Sequence, residues 1–240
     1  MTPAIAPDPD IVVLTGAGIS AESGIATFRD EGGLWARHRI EDVATPEAFA
    51  RDPDTVLAFY DARRAQVVDA KPNAAHAALS ALQAKLGTRL LLVTQNVDSL
   101  HEAAGHKPVV HMHGQLDQAL CPACDHRWPA PATIPVAHPC PACGTPGARP
   151  DIVWFGEMPY HMEAVLPAIE ACTVFAAIGT SGQVYPAAGF VEIAANHGAE
   201  TWEITLEPSG NPWFDHAVLG PATKSIPDWC AQMAVRFAPT

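Results

Sequence analysis

The sequence predicts an α/β fold, in which a doubly wound parallel sheet carries helices on both faces and a smaller lobe lies beside it. Short apolar, β-branched runs that end in polar or glycine turns recur at residues 11–15, 89–96 and 174–182, with a weaker copy at 200–208. Alanine-rich stretches such as residues 72–87 lie between these runs and end in a glycine, as helices often do. Strands that alternate with helices in this way are typical of a parallel sheet.

Two segments interrupt the alternation and predict the smaller lobe. Residues 30–70 have a helical pattern without strands, and residues 117–150 carry two cysteine pairs in a proline-rich setting. We interpret them as a helical insert and a zinc-binding insert within one domain, residues 1–240, since 240 residues suffice for one large core and a small module. The main lobe is then made of residues 1–29, 71–116 and 151–240.

The charge balance limits the classes of partner. Fourteen basic and 26 acidic residues give a net charge of −12, so we expect no direct nucleic-acid or membrane binding, which requires clustered lysine and arginine. The first ten residues lack the basic and apolar segments of a signal peptide, and no apolar run approaches the roughly 18 residues that span a bilayer. We expect a cytoplasmic monomer whose partner is a basic polypeptide.

The cysteine spacing predicts a metal site. Two Cys-x-x-Cys pairs are separated by fifteen residues, and four thiolates complete a tetrahedral zinc shell without an open position. Such a closed shell cannot activate water, so we expect one structural zinc ion. The ligands are Cys121, Cys124, Cys140 and Cys143.

The first strand runs into GAGISAESG at residues 16–24, a turn suited to a diphosphate. Gly16 and Gly18 allow close approach of the backbone, and Ala21 falls where the dinucleotide-binding fingerprint accepts glycine or alanine. The main lobe is thus expected to be Rossmann-like. A dehydrogenase would continue into a second strand that ends in an acidic residue, whereas residues 25–49 are polar, contain glycine and are not strand-like, which argues against simple hydride transfer.

The segment TQNVDSLH, residues 94–101, follows a buried strand. Ligands of open α/β sheets bind beyond the carboxyl ends of strands, so Gln95, Asn96 and Asp98 are expected beside a cofactor. Their amide and carboxylate groups suit ribose hydroxyls.

Two histidines follow in VVHMHG, residues 109–114. In an extended segment His111 and His113 share one face and Met112 takes the other. An imidazole suits proton transfer near pH 7, but the spacing leaves open which histidine enters the site.

The helical insert contains FYDARR, residues 59–64. In a helix, Tyr60 and Arg63 are three positions apart and lie on one face, so they can point at one ligand. The alternative is that Arg63 and Arg64 solvate the helix and offset Asp61. We interpret Arg64 as a surface residue.

Six motifs, in this order and spacing, resemble those of the sirtuins, which are NAD-dependent protein deacylases: GAGISAESGIATFRDEGGLW, TQNVDSLH, HMHG, the two cysteine pairs, IVWFGE and GTSGQVYPAA. The resemblance runs from about residue 10 to about residue 235 and is to the bacterial desuccinylase and deacetylase (class III) type. It implies that the oxygen of an acyl-lysine attacks C1′ of NAD, nicotinamide leaves, and a histidine deprotonates a ribose hydroxyl. The products are lysine, nicotinamide and O-acyl-ADP-ribose, and the partners are proteins or peptides that carry acyl-lysine.

The resemblance also assigns the residues around NAD. His113 matches the general base, and Asn96 and Asp98 match two further catalytic residues. Cofactor contacts in the glycine turn and the loop after it are Gly16, Ala17, Gly18, Ala21, Glu22, Thr27, Phe28, Arg29 and Trp35. The other cofactor contacts are Gln95, Asn96, Asp98, His113, Gly179, Thr180, Ser181, Thr205, Leu206, Glu207 and Ala222.

The resemblance further implies an acyl-lysine tunnel. Apolar side chains line it, and extended segments around residues 155–157 and 183–184 pair with the substrate backbone as an added strand. The residues assigned to the substrate are Tyr60, Arg63, Val153, Trp154, Phe155, Gly156, Glu157 and Val184. Core packing is the alternative role for Trp154 and Phe155. A subset of sirtuins recognises acidic acyl chains with the Tyr-x-x-Arg spacing, which implies desuccinylase and demalonylase activity, with deacetylation beside it.

One position departs from the family pattern. The family usually reads Ile-Asn-Leu-Glu-Pro where this chain has ITLEP at residues 204–208, so Thr205 replaces an asparagine that meets the adenosine ribose. Threonine has no amide, and we expect NAD affinity to be weaker by about 1 kcal/mol at most. Two other functions stay open: mono-ADP-ribosyl transfer on the same fold, and a non-catalytic NAD- or zinc-dependent interaction module.

Overall fold

Buried apolar runs form the strands of the computed structural model, which describes residue 5, residues 8–26 and residues 38–238. The strands in these ranges are β1 (Ile11–Thr15), β2 (Leu90–Thr94), β3 (Val110–His111), β4 (Gly114–Leu120), β5 (Arg127–Pro129), β6 (Arg149–Ile152), β7 (Val174–Ile178), β8 (Glu200–Thr205) and β9 (His216–Leu219). The helices are α1 (Gly18–Ala21), α2 (Ile40–Val43), α3 (Pro46–Arg51), α4 (Pro53–Val67), α5 (Ala74–Leu86), α6 (Leu100–Ala103), α7 (Met162–Ala171), α8 (Phe190–Asn196) and α9 (Ala222–Arg236).

Six of these strands form one parallel sheet in the order β3-β2-β1-β7-β8-β9. Every residue of β1, β2 and β7 is buried, as expected where helices cover both faces of a sheet. The chain runs from β1 to one edge and then from β7 to the other, so the strand order reverses between β1 and β7. A ligand crevice lies at such a switch point. The predicted α/β class is therefore confirmed, although the sequence did not predict the short edge strands β3 and β9.

Alternate residues of β1 face two separate cores, as the period of a strand requires. Ile11 and Val13 pack in one core with side chains of α5 and α9, such as Leu79 and Met233. Val12 and Leu14 pack in the other with side chains of α7 and α8. Helices thus cover both faces of the sheet.

A second, three-stranded antiparallel sheet, β5-β4-β6, packs against the helices α2 to α4. Its strands begin at Gly114 and end at Ile152, so the sheet extends past both ends of the predicted zinc-binding insert at residues 117–150. Side chains cap two of the helices, since Thr45 accepts a hydrogen bond from Ala48 N and Asp52 accepts one from Thr55 N. The Thr45 cap marks the start of α3, and the Asp52 cap marks the start of α4, the helix that carries FYDARR.

Within the described ranges, no helix combines the length and the apolar character needed to cross a bilayer.

Candidate functional site

The glycine turn after β1 lies against the loop after β7. The amide of Gly18 donates to the carbonyl of Gly179 at 2.8 Å. A Cβ atom added to Gly16 would lie 2.8 Å from Gly179 O, and one added to Gly18 would lie 2.7 Å from Gly179 Cα. Gly179 itself has a φ of +58°, which favours glycine. The structure thus brings these three predicted glycines together, with Ala17 in the turn and Thr180 next to Gly179.

The polar loop after β2 connects both of these loops. Gln95 Nε2 donates to Thr180 Oγ1 at 3.0 Å. Asn96 Nδ2 donates to Gly16 O at 3.1 Å and to Ser20 Oγ at 3.2 Å. The loops that follow three strands therefore meet at the switch point, as expected of a ligand site in an α/β sheet.

Asp98 is buried beside this loop, with 6% of its surface exposed. Its carboxylate accepts hydrogen bonds from Ser20 Oγ at 3.0 Å and from Leu100 N at 3.1 Å. Burial raises the pKa of Asp98, although these hydrogen bonds act in the opposite direction. Ser20, which the sequence analysis missed, bridges Asn96 and Asp98; its place inside the GAGIS turn was the signal that could have identified it.

Hydrogen bonds distinguish the two histidines of the HMHG motif. His111 Nδ1 lies 3.2 Å from Asn96 O and its Nε2 lies 2.7 Å from Glu102 Oε1, so both nitrogens face acceptors. Burial lowers the pKa of His111, but the hydrogen bond to Glu102 and its charge outweigh burial, and the pKa is raised. The protonated form, with two donors, fits this position.

His113 differs in both respects. Its Nδ1 lies 3.2 Å from Gln95 O, and since a carbonyl only accepts, Nδ1 carries the proton and Nε2 is left with a lone pair. Burial lowers the pKa of His113, and the hydrogen bond to Gln95 only partly offsets this. The neutral imidazole near pH 7 is a base, so the tertiary contacts favour His113 over His111 for that role.

A chain of hydroxyl groups lies beneath the polar loop. Thr15 Oγ1 donates to Thr94 Oγ1 at 2.8 Å, and Thr94 Oγ1 accepts from Asn96 N at 3.0 Å. His101 Nε2 lies 3.0 Å from Thr15 Oγ1. The rings of His76 and His101 lie 4.9 Å apart, and His106 follows at 6.3 Å from His101, all three fully buried.

Three of the predicted cofactor contacts lie at the end of β8 and directly after it. Thr205 is the last residue of this strand, and its carbonyl accepts from Gly220 N at 3.0 Å. Leu206 and Glu207 follow and are exposed. Ser181 Oγ accepts from Gln183 N at 3.3 Å on the neighbouring loop.

Glu22 connects the glycine turn to the start of α9. Its carboxylate accepts from Thr223 N at 3.0 Å and from Thr223 Oγ1 at 2.6 Å, and these hydrogen bonds lower the pKa of Glu22. Ala222 is the first residue of α9, so the structure brings these two predicted residues together. Ala21 ends the helix α1 just before Glu22. Four further predicted contacts lie outside the described residues: Thr27, Phe28, Arg29 and Trp35.

Tyr60 lies inside the small lobe, with 1% of its surface exposed. Burial raises its pKa to about 12, so it stays a neutral phenol. Trp154 Nε1 donates to its hydroxyl at 3.0 Å. Burial lowers the pKa of Arg63, while Tyr60 and Asp98 are near enough for their charges to act in the opposite direction. Arg63 is therefore close to both Tyr60 and Asp98.

The predicted extended segment at residues 155–157 is wrong. Gly156 has a φ of +93° and Glu157 N donates to Trp154 O at 3.0 Å, so residues 154–157 form a turn. The carboxylate of Glu157 closes the turn by accepting from Trp154 N at 2.8 Å. Trp154 is 2% exposed and packs in the core of the small lobe, whereas Phe155 is 43% exposed.

The predicted extended segment at residues 183–184 is also wrong at Val184. Val184 lies in a bend because its carbonyl accepts from Ala188 N at 2.9 Å, which starts a helical turn. By contrast, Val153 N donates to His113 O at 3.0 Å. This bond joins the small lobe directly to the candidate base.

Arg64 is not the surface residue that the sequence analysis predicted. Its side chain is 11% exposed and pairs with Asp61. Arg64 Nη1 donates to Leu116 O at 2.7 Å, and the Asp61 carboxylate accepts from Ile134 N at 3.3 Å. This pair ties α4 to the strand β4 and to the loop between the two cysteine pairs.

The four predicted cysteines form one cluster, with all sulfur atoms within 4.8 Å of one another. The Sγ atoms of Cys121 and Cys143 lie 3.7 Å apart, and those of Cys124 and Cys140 lie 3.8 Å apart. A tetrahedron with Zn–S bonds of about 2.3 Å has edges of about 3.8 Å, so the sulfur positions fit one zinc ion.

Comparisons with known proteins agree with this arrangement. Residues 16–186 match the model of the Sir2 family. The chain is 54% identical over 227 residues to an NAD-dependent protein deacylase of Bdellovibrio bacteriovorus, covering 93% of this chain and 96% of the relative. It is 50% identical over 232 residues to an NAD-dependent protein deacylase of Caulobacter vibrioides, covering 95% of this chain and 98% of the relative.

Solved structures show the same similarity. The crystal structure of a Sir2 homologue–NAD complex has a TM-score of 0.84 and 38% identity, and the match covers 94% of this chain and 90% of that one. A Sir2 complex with a p53 peptide and NAD has a TM-score of 0.73 and 26% identity, covering 94% of this chain and 92% of that one.

Proposed function

The chain belongs to the Sir2 family and is an NAD-dependent protein deacylase, and from this premise we propose that it removes succinyl, malonyl and acetyl groups from lysine side chains of proteins. NAD, when bound, supplies the ADP-ribose that takes up the acyl group and the nicotinamide that is released. The proposed partners are acyl-lysine proteins or peptides, since a Sir2 structure similar to this chain holds a peptide together with NAD.

The preference for acidic acyl chains rests on the position of Tyr60 and Arg63. Both lie on one face of α4; Tyr60 is buried as a neutral phenol, and Arg63 lies close to Tyr60 and Asp98. A terminal carboxylate on the acyl chain is a ligand that a guanidinium binds bidentately and a phenol binds as a donor. Hydrogen bonds to a charged group contribute about 1.5–3 kcal/mol each, and a neutral acetyl group makes neither.

The proposed base is His113, whose Nδ1 is held by Gln95 O so that Nε2 can accept the proton of a ribose hydroxyl. Asn96 and Asp98 are proposed to position the ribose, with Ser20 fixing both side chains. The low pKa of His113 keeps the imidazole neutral before the proton transfer.

We propose that the diphosphate binds at the glycine cradle, which is the turn that contains Gly16 and Gly18 together with the loop after β7. A side chain on Gly16 or Gly18 would collide with that loop. Thr180 and Ser181 are proposed to contact the adjoining ribose and phosphate. Thr205 is the last residue of β8 and Ala222 is the first residue of α9. We propose that the adenosine binds where these two residues lie.

The test is a panel of acetyl-, succinyl-, malonyl- and butyryl-lysine peptides incubated with NAD, with nicotinamide release as the readout. A Tyr60→Phe, Arg63→Met double variant is expected to lose succinyl turnover and to keep acetyl turnover. Arg64→Met is the matched control, since the same substitution one residue along removes a contact to β4 and leaves the ratio of the two activities unchanged. If both activities of the double variant fall together, the pair is structural and the proposed preference is wrong.

A further inference from the structure

The hydroxyl of Tyr60 meets the indole of Trp154, a residue 94 positions away in the sequence. The distance from Trp154 Nε1 to the phenol oxygen is 3.0 Å, and both residues are at most 2% exposed. Among the described residues, Trp154 is thus a hydrogen-bond partner of the Tyr60 hydroxyl. Because the indole N–H is only a donor, Tyr60 is the acceptor here.

This direction of donation fixes what the phenol can offer a ligand. A phenol has one O–H donor, which lies near the ring plane in one of two orientations. With one of these directions occupied by the N–H of Trp154, the proton of Tyr60 takes the other direction, in which it can be donated to a ligand. Accepting one hydrogen bond also strengthens the one that the same hydroxyl donates.

The indole of Trp154 is itself held by a partly buried ion pair. Arg149 lies 4.0 Å from the centre of the Trp154 ring, a cation–π distance, and is 8% exposed. Both of its terminal nitrogens pair with the carboxylate of Glu157 at 3.0 Å. Glu157 in turn accepts from Trp154 N, so the ring and its backbone are fixed by the same pair.

We infer that Trp154 is a specificity-determining positioning residue, whose indole N–H sets the Tyr60 hydroxyl as a donor to the carboxylate of an acidic acyl chain. This inference rests on the proposed function. It gives Trp154 a role through Tyr60, in place of a simple lining of the acyl tunnel, and it gives Arg149 and Glu157 the role of holding the indole. An acetyl group has no terminal carboxylate to accept this hydrogen bond, so turnover of the acetyl-lysine peptide does not depend on the N–H of Trp154.

The experiment is a double-mutant cycle on the full chain with succinyl-lysine and acetyl-lysine peptides. Trp154→Phe keeps a ring and removes the N–H, and Tyr60→Phe removes the hydroxyl. We expect Tyr60→Phe to lower kcat/KM for the succinyl peptide by about tenfold or more and Trp154→Phe to lower it by about three- to tenfold, mainly through KM. The acetyl peptide is the reference, and in both variants kcat/KM for the succinyl peptide is expected to fall more than kcat/KM for the acetyl peptide.

The distinguishing result is the double variant. If Trp154 acts through Tyr60, Trp154→Phe has no further effect on succinyl turnover once Tyr60 is phenylalanine. Trp229→Phe is the matched control: Trp229 is equally buried, its Nε1 has no partner among the described residues, and its replacement leaves the succinyl-to-acetyl ratio unchanged.

Two outcomes overturn the inference and leave the proposed function intact, and a third overturns both. If the two substitutions multiply, or if Trp154→Phe lowers acetyl turnover as much as succinyl turnover, Trp154 acts as packing only. If Tyr60→Phe leaves the succinyl-to-acetyl ratio as it is, recognition of the carboxylate by Tyr60 fails, and the inference fails with it.

Discussion

The two walls of the candidate site are held in different ways. On the large lobe, the loops after β1, β2 and β7 are joined by hydrogen bonds that largely involve backbone atoms, and glycines allow their close approach. On the small lobe, Tyr60 is placed by a single indole N–H and by the packing of aromatic rings. The wall proposed for NAD is therefore set mainly by the backbone. The wall proposed for the acyl chain is set by side chains, which a few substitutions can change without moving the backbone.

The largest expected effect comes from a substitution on the large-lobe wall. It tests whether this wall is needed equally for succinyl and acetyl substrates. His113→Ala is expected to lower turnover of succinyl and acetyl peptides alike by about 10²–10⁴-fold, because the proposed base would act on the ribose and not on the acyl chain. Steady-state rates of lysine release on both peptides measure it, with the exposed His197→Ala as the control. Retention of either activity would remove His113 from the role of base.

The second largest expected effect is a loss of unfolding free energy of the large lobe as the pH falls. Burial lowers the pKa of His76 and of His106 to about 4, against about 6.5 in the unfolded chain. The unfolded state therefore binds more protons between these values, and stability present above pH 6.5 is lost as the pH falls toward 4. Each histidine is expected to cost about 3 kcal/mol over this window.

Urea unfolding at several pH values between 7 and 4 measures this loss of stability. A His106→Gln variant provides the comparison, and its unfolding free energy should depend less on pH than that of the natural chain. An equal pH dependence in both proteins would mean that His106 is not the group that titrates.

Gly18→Ala tests the backbone character of the cradle. The new Cβ would lie 2.7 Å from Gly179 Cα, a backbone atom that cannot move aside, so we expect a stability loss of about 1–3 kcal/mol. We also expect a KM for NAD raised by about tenfold, with succinyl and acetyl turnover affected equally. Gly189→Ala is the matched control, since its Cβ would meet a side-chain atom of Tyr185 at an ordinary 3.7 Å. An unequal effect on the two acyl substrates would contradict the separation of the two walls.

The smallest expected effect concerns the adenosine end. Thr205→Asn restores the amide that the family pattern places there, and we expect NAD to bind more tightly by about 1 kcal/mol at most. The apparent Kd for NAD, measured by calorimetry, tests this. An unchanged Kd would show that Thr205 forms no weaker contact than asparagine does.

Much of the fold and of the metal site followed from the sequence. The buried runs, the glycine turns and the cysteine spacing depend on local rules of strand burial, positive φ and ligand count, so short segments carry them. The edge strand β9 escaped prediction because its residues are mostly exposed and its identity as a strand comes from pairing with β8.

The neighbouring arginines show where local rules stop. Successive helical residues differ by about 100° around the axis, so Arg63 and Arg64 face different neighbours, and only the packing of α4 decides which. Arg63 lies toward Tyr60 and Asp98, and Arg64 binds Asp61 and Leu116 O.

The sequence by itself determined the α/β class, the glycine turn, the zinc ligands and the pairing of Tyr60 with Arg63 on one helical face. The resemblance assigned the role of base to His113, and only the tertiary structure gave the two histidines different partners, the carbonyl of Gln95 for His113 and the carboxylate of Glu102 for His111. The tertiary structure also decided that Trp154 donates to Tyr60. The physical reason is that the direction of a hydrogen bond depends on partners brought together by folding, and such partners leave no periodic trace in the chain.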